Sequence, residues 1–138
     1  MTTRGQMSKA AEQEGGHTEL MRAAVEGETE TVDRLLATGT DVNERDDEGR
    51  TGLMFAVTNR HRDIAKRLLN HGAEVNAVAN DGATALMLAA SAGDAEIVRE
   101  LLSKGADPSA KFTHTGKTAL VLAKEKDFTD IVRLLESA

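Results

Sequence analysis

The chain has 138 residues, of which 40% are hydrophobic and 29% are charged, and its formal net charge is −6 at pH 7. This composition is typical of a globular domain, and the negative charge disfavours a general affinity for nucleic acid or anionic membranes. The absence of cysteine excludes disulfide bonds and thiolate catalysis. The N-terminal sequence has no apolar signal segment, and no run approaches the roughly 18 apolar residues of a membrane span. We therefore expect a cytoplasmic protein with neither a membrane nor a nucleic-acid partner.

A sequence pattern returns along the chain at a fixed period. The segment GHTEL (16–20) returns as GRTGL, GATAL and GKTAL, at steps of 33, 33 and 34 residues. An apolar pattern around Leu35, Leu68, Leu101 and Leu135 keeps the same steps, and so does a glycine-led segment that begins as GTDVN, then GAEVN, then GADPS. A period of this length indicates stacked supersecondary units.

Four copies account for most of the chain. Their predicted bounds are about 16–48, 49–81, 82–115 and 116–138. Residues 1–15 are predicted to form a flexible N-terminal tail, with a short helical turn over Ser8–Glu14 as the alternative.

Each copy has the features of two helices followed by a loop. A threonine stands before the first helix, and its hydroxyl can cap the helix N-terminus. The first helix is rich in alanine, so neighbouring copies can approach closely, whereas the second carries Ile, Val and Leu in one apolar stripe. Gly39, Gly72 and Gly105 are positioned to end the second helix in the left-handed conformation. A polar, hairpin-like connection then leads to the next copy, with turns that favour positive φ at Gly49 and Gly82.

These residues resemble ankyrin repeats, whose pattern is G-x-T-P-L-H-x-A-A followed by G-H-x-x-I-V-x-x-L-L-x-x-G-A-D-V-N. The resemblance covers roughly residues 16 to 138 and is strongest in the copy that begins at Gly82. It implies an all-α fold, a solenoid of paired antiparallel helices with projecting β-hairpin-like loops, or fingers. It also implies a protein-binding scaffold without catalysis.

Several departures from the family pattern affect the expected structure. The family's proline is replaced in every copy, which predicts helices that begin less rigidly; its histidine is replaced by methionine in three copies and by valine in the fourth. Polar residues interrupt the pattern in the first and last copies, as capping repeats require. These interruptions are Arg22, Thr31, Lys124 and Glu136.

The sequence predicts no catalytic, cofactor or metal site. The segment GKT at 116–118 ends like a phosphate-binding loop, but Lys111 stands where that motif needs a glycine. The four histidines lack zinc-ligand spacing. Four neighbouring acids, Glu44, Asp46, Asp47 and Glu48, are interpreted as a solvated finger tip.

Partner binding is predicted at the finger tips and at the exposed ends of the first helices, because these residues have no packing role. In the family such positions usually meet the partner. The candidate binding residues are Arg45, Asp47, Glu48, Arg50, Thr58, Asn59, Val78, Asn80, Asp81, Ser91, Lys111, Phe112, His114, Lys117 and Lys126.

The phenylalanines have two interpretations each. Phe112, in the finger with an extra residue, is either an exposed anchor for a partner or a side chain folded back against the stack. Phe55 either lines the concave face or, as we favour, packs between copies. Phe128 is predicted to pack.

Formal charge is uneven along the chain, with −7 over 16–48, +2 over 49–81 and −1 over 82–115. Such a dipolar surface can steer a partner with a matching charge pattern. The leading hypothesis is therefore a monomeric, non-catalytic protein-binding module acting as an adaptor, inhibitor or regulator. The alternatives are an immunity-type inhibitor of a partner enzyme, and a small-ligand or enzymatic use of the finger groove.

Overall fold

A computed structural model of the chain describes residues 14–138, so nearly all of the predicted tail and of the predicted turn over Ser8–Glu14 lies outside the described residues. A short 3-10 turn at Glu14–Gly16 precedes eight α-helices in the described range. The helices are α1 (Glu19–Glu26), α2 (Thr29–Ala37), α3 (Gly52–Thr58), α4 (Arg62–Asn70), α5 (Ala85–Ala92), α6 (Ala95–Ser103), α7 (Ala119–Glu125) and α8 (Thr129–Glu136).

The helices form two layers. The first helices of the copies, α1, α3, α5 and α7, pack on one another in chain order, and the second helices, α2, α4, α6 and α8, do the same. Each first helix also packs on the second helix of its own copy. Successive pairs are joined by longer loops, which contain no β-strand between residues 14 and 138. The predicted all-α solenoid is confirmed.

A threonine hydroxyl begins every first helix. The Oγ1 atoms of Thr18, Thr51, Thr84 and Thr118 accept a hydrogen bond from the backbone N–H three residues later, at 3.2, 3.4, 3.3 and 3.3 Å. These bonds satisfy one of the N–H groups that a helix N-terminus leaves without an internal partner. The predicted threonine caps are confirmed. In the first copy, the Thr18 N–H also lies 3.5 Å from the sulfur of Met21, the residue that stands where the family has histidine.

A glycine stops each of the first three second helices. Gly39, Gly72 and Gly105 have φ of +85°, +92° and +93°. The next N–H in the chain reaches back to the carbonyl of Leu35, Leu68 or Leu101, at 3.1, 3.0 and 3.0 Å respectively. This is the hydrogen-bond pattern of a Schellman motif, which requires a left-handed residue and therefore favours glycine. The predicted C′ role of these glycines is confirmed.

One continuous core runs through all four helix pairs. The first helices contribute alanines such as Ala56 and Ala123, which have 0% of their surface exposed, together with large buried side chains such as Leu53. The second helices contribute larger residues, and Leu68 and Leu101 also have 0% of their surface exposed. The small residues allow the first helices to pack closely, while the larger residues fill the space between second helices.

The turn between the two helices of a copy depends on what the next copy places against it. Gly27 and Gly93 are left-handed there, and a Cβ at either position would come within 2.7 and 2.9 Å of the rings of His61 and Phe128 respectively. The equivalent residue of the second copy is Arg60, also left-handed at φ +60°, and the next copy presents the non-aromatic Asp94 at the equivalent position. A ring at the start of one second helix therefore requires glycine in the copy before it. Phe128 packs, as predicted.

Replacing a buried leucine tests the core. We expect Leu101→Ala to lower the free energy of unfolding by about 2–5 kcal/mol, because it removes buried contacts and leaves a cavity. The measurement is the urea midpoint followed by far-UV circular dichroism. The control is Val78→Ala, at a side chain that is 48% exposed, which should change stability by less than about 0.5 kcal/mol. Equal midpoints for the two variants would contradict the assigned core.

At equivalent positions of the left-handed turn, two substitutions should change the free energy of unfolding in opposite directions. Asp127 has φ +59°, so Asp127→Gly should raise stability by about 0.5 kcal/mol, the relief of left-handed strain being partly offset by a more flexible unfolded chain. Gly93→Ala should cost more than about 1 kcal/mol, because its Cβ meets the Phe128 ring. Asp130→Gly, inside α8, is the composition control and should cost about 1 kcal/mol. Thermal unfolding checks all three; a lower midpoint for Asp127→Gly would refute the strain argument.

Candidate functional site: the groove between two fingers

The loops between helix pairs are three tight fingers, which we number first (44–50), second (77–83) and third (110–117). Each is closed by a backbone hydrogen bond: Asp46 N–H to Arg50 C=O at 2.9 Å, Ala79 N–H to Ala83 C=O at 2.9 Å, and Phe112 N–H to Lys117 C=O at 3.0 Å. The third closure spans one residue more than the others. An isolated antiparallel bridge between Lys111 and Thr118 lies at the base of the third finger.

Backbone hydrogen bonds also join each finger to the preceding one. The Asn80 N–H donates to Glu48 C=O at 2.9 Å, and the Thr113 N–H donates to Asp81 C=O at 2.9 Å. The contact is so close that a Cβ at Gly49 would lie 3.0 Å from the Asn80 nitrogen and 2.7 Å from its side-chain oxygen. Glycine is thus required at this position by approach as well as by its φ of +79°. The fingers form a connected row rather than independent loops.

Two asparagines join neighbouring copies, a role that was not predicted from the sequence. The Asn43 amide donates to Gly72 C=O at 3.1 Å and accepts from Glu74 N–H at 2.8 Å. Asn76 does the same one copy later, with Gly105 and Asp107 at 3.0 and 2.7 Å. The signal was the recurrence of asparagine at the end of GTDVN and GAEVN, 33 residues apart. An amide suits this site because it both donates and accepts.

Asp46 is buried, so the prediction that Glu44, Asp46, Asp47 and Glu48 form one solvated tip is wrong for this residue. Its carboxylate is fully covered and accepts hydrogen bonds from the backbone N–H groups of Glu48 and Arg50, at 3.0 and 2.8 Å. The guanidinium Nε of Arg50 donates to its other oxygen at 2.8 Å. Asp46 therefore organises the first finger from inside.

This environment shifts the acidity of Asp46. Burial alone raises the pKa of the carboxyl, but the hydrogen bonds from the backbone and side chain of Arg50 and from the backbone of Glu48, together with the Arg50 charge, outweigh it and lower the pKa below its usual value.

Arg50 links this carboxylate to an aromatic side chain in α3. Its guanidinium carbon lies 5.0 Å from the centre of the Phe55 ring, within the range of a cation–π contact. His17 meets the same ring edge-on, at 5.3 Å between centroids, and its Nε2 lies 3.3 Å from Asp46. Phe55 is half-buried and packs against the core. One part of the Phe55 ring thus packs between copies and another part faces the surface, so both interpretations of this residue hold in part.

A groove of about 370 Å³ lies beside this cluster, between the first two fingers and helices α3 and α5. Half-buried Phe55 and Leu88 and buried Met54, Ala79 and Ala83 supply its apolar surface. Five of the predicted binding residues line it as well. They are Glu48, Arg50, Thr58, Asn80 and Asp81.

The other predicted binding residues lie around the groove or farther along the stack. Arg45 Nη1 donates to Val78 C=O at 2.7 Å, and Lys126 Nζ donates to both oxygens of Ser91, at 3.0 and 3.1 Å. Lys117 pairs with Glu125 at 3.0 Å. Four more of the predicted binding residues are exposed: Asp47, Asn59, Lys111 and His114.

Phe112 is folded back. It is half-buried and packs against a small cluster of Met54, Ala77, Ala79 and Ala83, which underlies the groove. Of its two interpretations, the structure supports packing against the stack.

Residues 14–138 contain no group of three or more side chains placed to hold a metal ion. In the same range, no helix has both the length and the apolarity to cross a membrane.

Removing the Asp46 charge tests its role in the finger. Asp46→Asn should lower stability at pH 7 by about 1–3 kcal/mol, because the amide keeps one acceptor oxygen but places an NH2 donor against the Arg50 guanidinium, which loses its buried ion-pair partner. The pKa of Asp46 is lower in the folded than in the unfolded chain. The stabilisation that its carboxylate contributes is therefore complete above the ordinary aspartate pKa, about 3.9, and is lost as the pH falls through the pKa of the folded state. The variant should therefore lose less stability than wild type between pH 7 and pH 3. Denaturant midpoints at both pH values measure this, with exposed Asp47→Asn as the control; matching behaviour of the two variants would disprove it.

Comparison with known proteins agrees with this architecture. A family model described as "Ankyrin repeats (3 copies)" matches residues 20–112, more than half of the chain. No curated protein matches the chain. Ankyrin repeats are generally protein–protein interaction modules and are typically non-catalytic. The matched segment ends in the third finger, so the fourth helix pair, α7 and α8, lies beyond it. The family match and the stacked helix pairs show that the chain belongs to the ankyrin-repeat family.

Proposed function

We propose that the chain is a monomeric, non-catalytic protein-binding module of the cytoplasm that acts as an adaptor, inhibitor or regulator. Its partner binds the finger face, which we define as the three fingers together with the exposed ends of α3, α5 and α7. The observation that carries this proposal is the groove, because it leaves parts of Phe55 and Leu88 open beside the finger tips. Partly exposed apolar side chains within a polar rim are typical of binding surfaces.

The predicted binding residues divide by what they already contact. Arg50 is bonded to buried Asp46, and Phe112 packs against the cluster beneath the groove. Both have structural roles, so their replacement would confuse loss of binding with loss of folding. By contrast, Thr58 and Glu48 are exposed at the groove, and the only ion pair of Glu48 within residues 14–138 is with Arg50, at 3.6 Å. Their replacement tests the surface with the least disturbance of the fold.

A matched pair of double variants tests the proposed face. Glu48→Arg with Thr58→Arg changes the groove, while Glu30→Arg with Thr129→Arg makes the same chemical changes at exposed residues of α2 and α8. We expect the groove variant to capture at least tenfold less partner from an extract of the cells that express the protein, because steric block and charge reversal together exceed about 1.4 kcal/mol. Quantitative mass spectrometry of the captured proteins measures this.

The control pair should capture as much partner as wild type. Equal capture by both double variants would place the partner elsewhere and overturn the proposed face. Turnover of a substrate by the purified chain would overturn the non-catalytic part of the proposal.

A further inference from the structure

The groove exists because the second finger departs from the first. Asp46 and Arg50 fill the first finger, whereas the equivalent residues one copy later are Ala79 and Ala83. Arg50 lies over the ring of Phe55 in the second copy, but Ala83 is too short to cover the equivalent Leu88 in the third copy. The missing side chains leave the volume of about 370 Å³. This is near the lower end for small-ligand pockets and suits one or two apolar side chains of a partner.

Charge differs on the two sides of this groove. Toward the first finger, Asp47 and Glu48 are exposed, with side-chain exposure of 71% for Glu48. Asp47 has no cationic partner within residues 14–138. We call these two residues the acidic pole. Arg50 lies closer to the fully buried carboxylate of Asp46, at 2.8 Å, than to Glu48, at 3.6 Å. One cation therefore faces two carboxylates, and with Asp47 the acidic pole keeps a net negative charge.

Toward the third finger, two exposed lysines carry no ion pair within the described residues, while exposed Asp81 lies between them and the first finger at the groove. Lys111 makes no ion pair within the described range, and Lys126 donates only to the neutral Ser91. We call Lys111 and Lys126 the basic pole; Lys117 is excluded because Glu125 neutralises it at 3.0 Å. With packed helices about 8–10 Å apart, poles that lie two copies apart are separated by about 16–20 Å, which roughly five or six residues of extended chain span.

We infer that the partner presents an extended segment with an apolar side chain in the groove, basic residues over the acidic pole and acidic residues over the basic pole. This inference rests on the proposed function and specifies the chemistry of the partner. The groove supplies the anchor, and the poles set the order of charges along the segment. Complementary charge of this kind determines orientation and association rate more than affinity.

Selection from random peptides tests the inference without knowledge of the natural partner. A displayed library of dodecapeptides is selected on the wild-type chain and on a pole-swapped variant, Asp47→Lys, Glu48→Lys, Lys111→Glu and Lys126→Glu, which keeps the net charge. Wild type should enrich an apolar residue flanked by Lys or Arg on one side and by Asp or Glu on the other. The pole-swapped variant should enrich the reverse order. Peptides selected on the wild-type chain should bind the pole-swapped variant at least tenfold more weakly than they bind the wild type, as measured by fluorescence anisotropy. Added salt should reduce this difference in affinity.

A third arm isolates the groove. Because the chain has no cysteine, Thr58→Cys can be labelled with a bulky maleimide after folding, and labelled Thr129→Cys is the control. The Thr58 label should abolish the preference for an apolar residue, while the Thr129 label leaves it intact.

The outcomes separate this inference from the proposed function. Enriched peptides without a charge order, or with an order that the swap leaves unchanged, would overturn the charge poles. Enrichment that survives the Thr58 label would overturn the groove as anchor. The absence of any enriched peptide would overturn the extended-segment partner, yet the proposed function would stand if the groove double variant still lost a captured protein.

Discussion

Adjacent helix pairs bury each other's apolar surface, and the rest of the structure depends on that contact. The first helices bury alanine, leucine and methionine side chains, and the second helices bury leucine, isoleucine and valine side chains. A single pair of short helices has no other surface against which to bury this stripe. Stability therefore resides in the interfaces between copies, and each copy supplies part of the core of its neighbours. The α-helices need only nine residues or fewer because neighbours, not length, stabilise them.

Polar contacts fix how the copies align once apolar burial has brought them together. Asn43 and Asn76 bind the backbone of the following copy, and Arg62 donates to the fully buried carboxylate of Asp94 at 2.9 Å. Exposed ion pairs such as Arg67 with Asp33 contribute little to stability. The buried acceptors matter more, because a buried donor that loses its acceptor costs free energy that water cannot restore.

The sequence predicted the features that repeat and those that depend on local chemistry. Threonine caps, C′ glycines and buried stripes each have a signal within a few residues, and the period aligns those signals across the chain. The burial of Asp46 was missed although its partners lie in its own turn, because its charge resembles that of the exposed acids beside it. The pairing of Gly27 with His61, and of Gly93 with Phe128, was hidden for a different reason. It joins residues of different copies, whereas the repeat pattern describes one copy at a time.

Within an array of this kind, specificity must come from positions where copies differ. Every interior copy has to satisfy the same packing against its neighbours, so its buried residues are constrained to be similar. The finger positions are constrained less, and here the pair Asp46 and Arg50 is followed by Ala79 and Ala83. That change keeps both positions packed, since the alanines contact Met54 and Phe112 beneath them. On the surface, however, it exchanges a closed ion pair for an open apolar groove. The same two positions can thus vary in what they offer a partner while the solenoid that carries them is preserved.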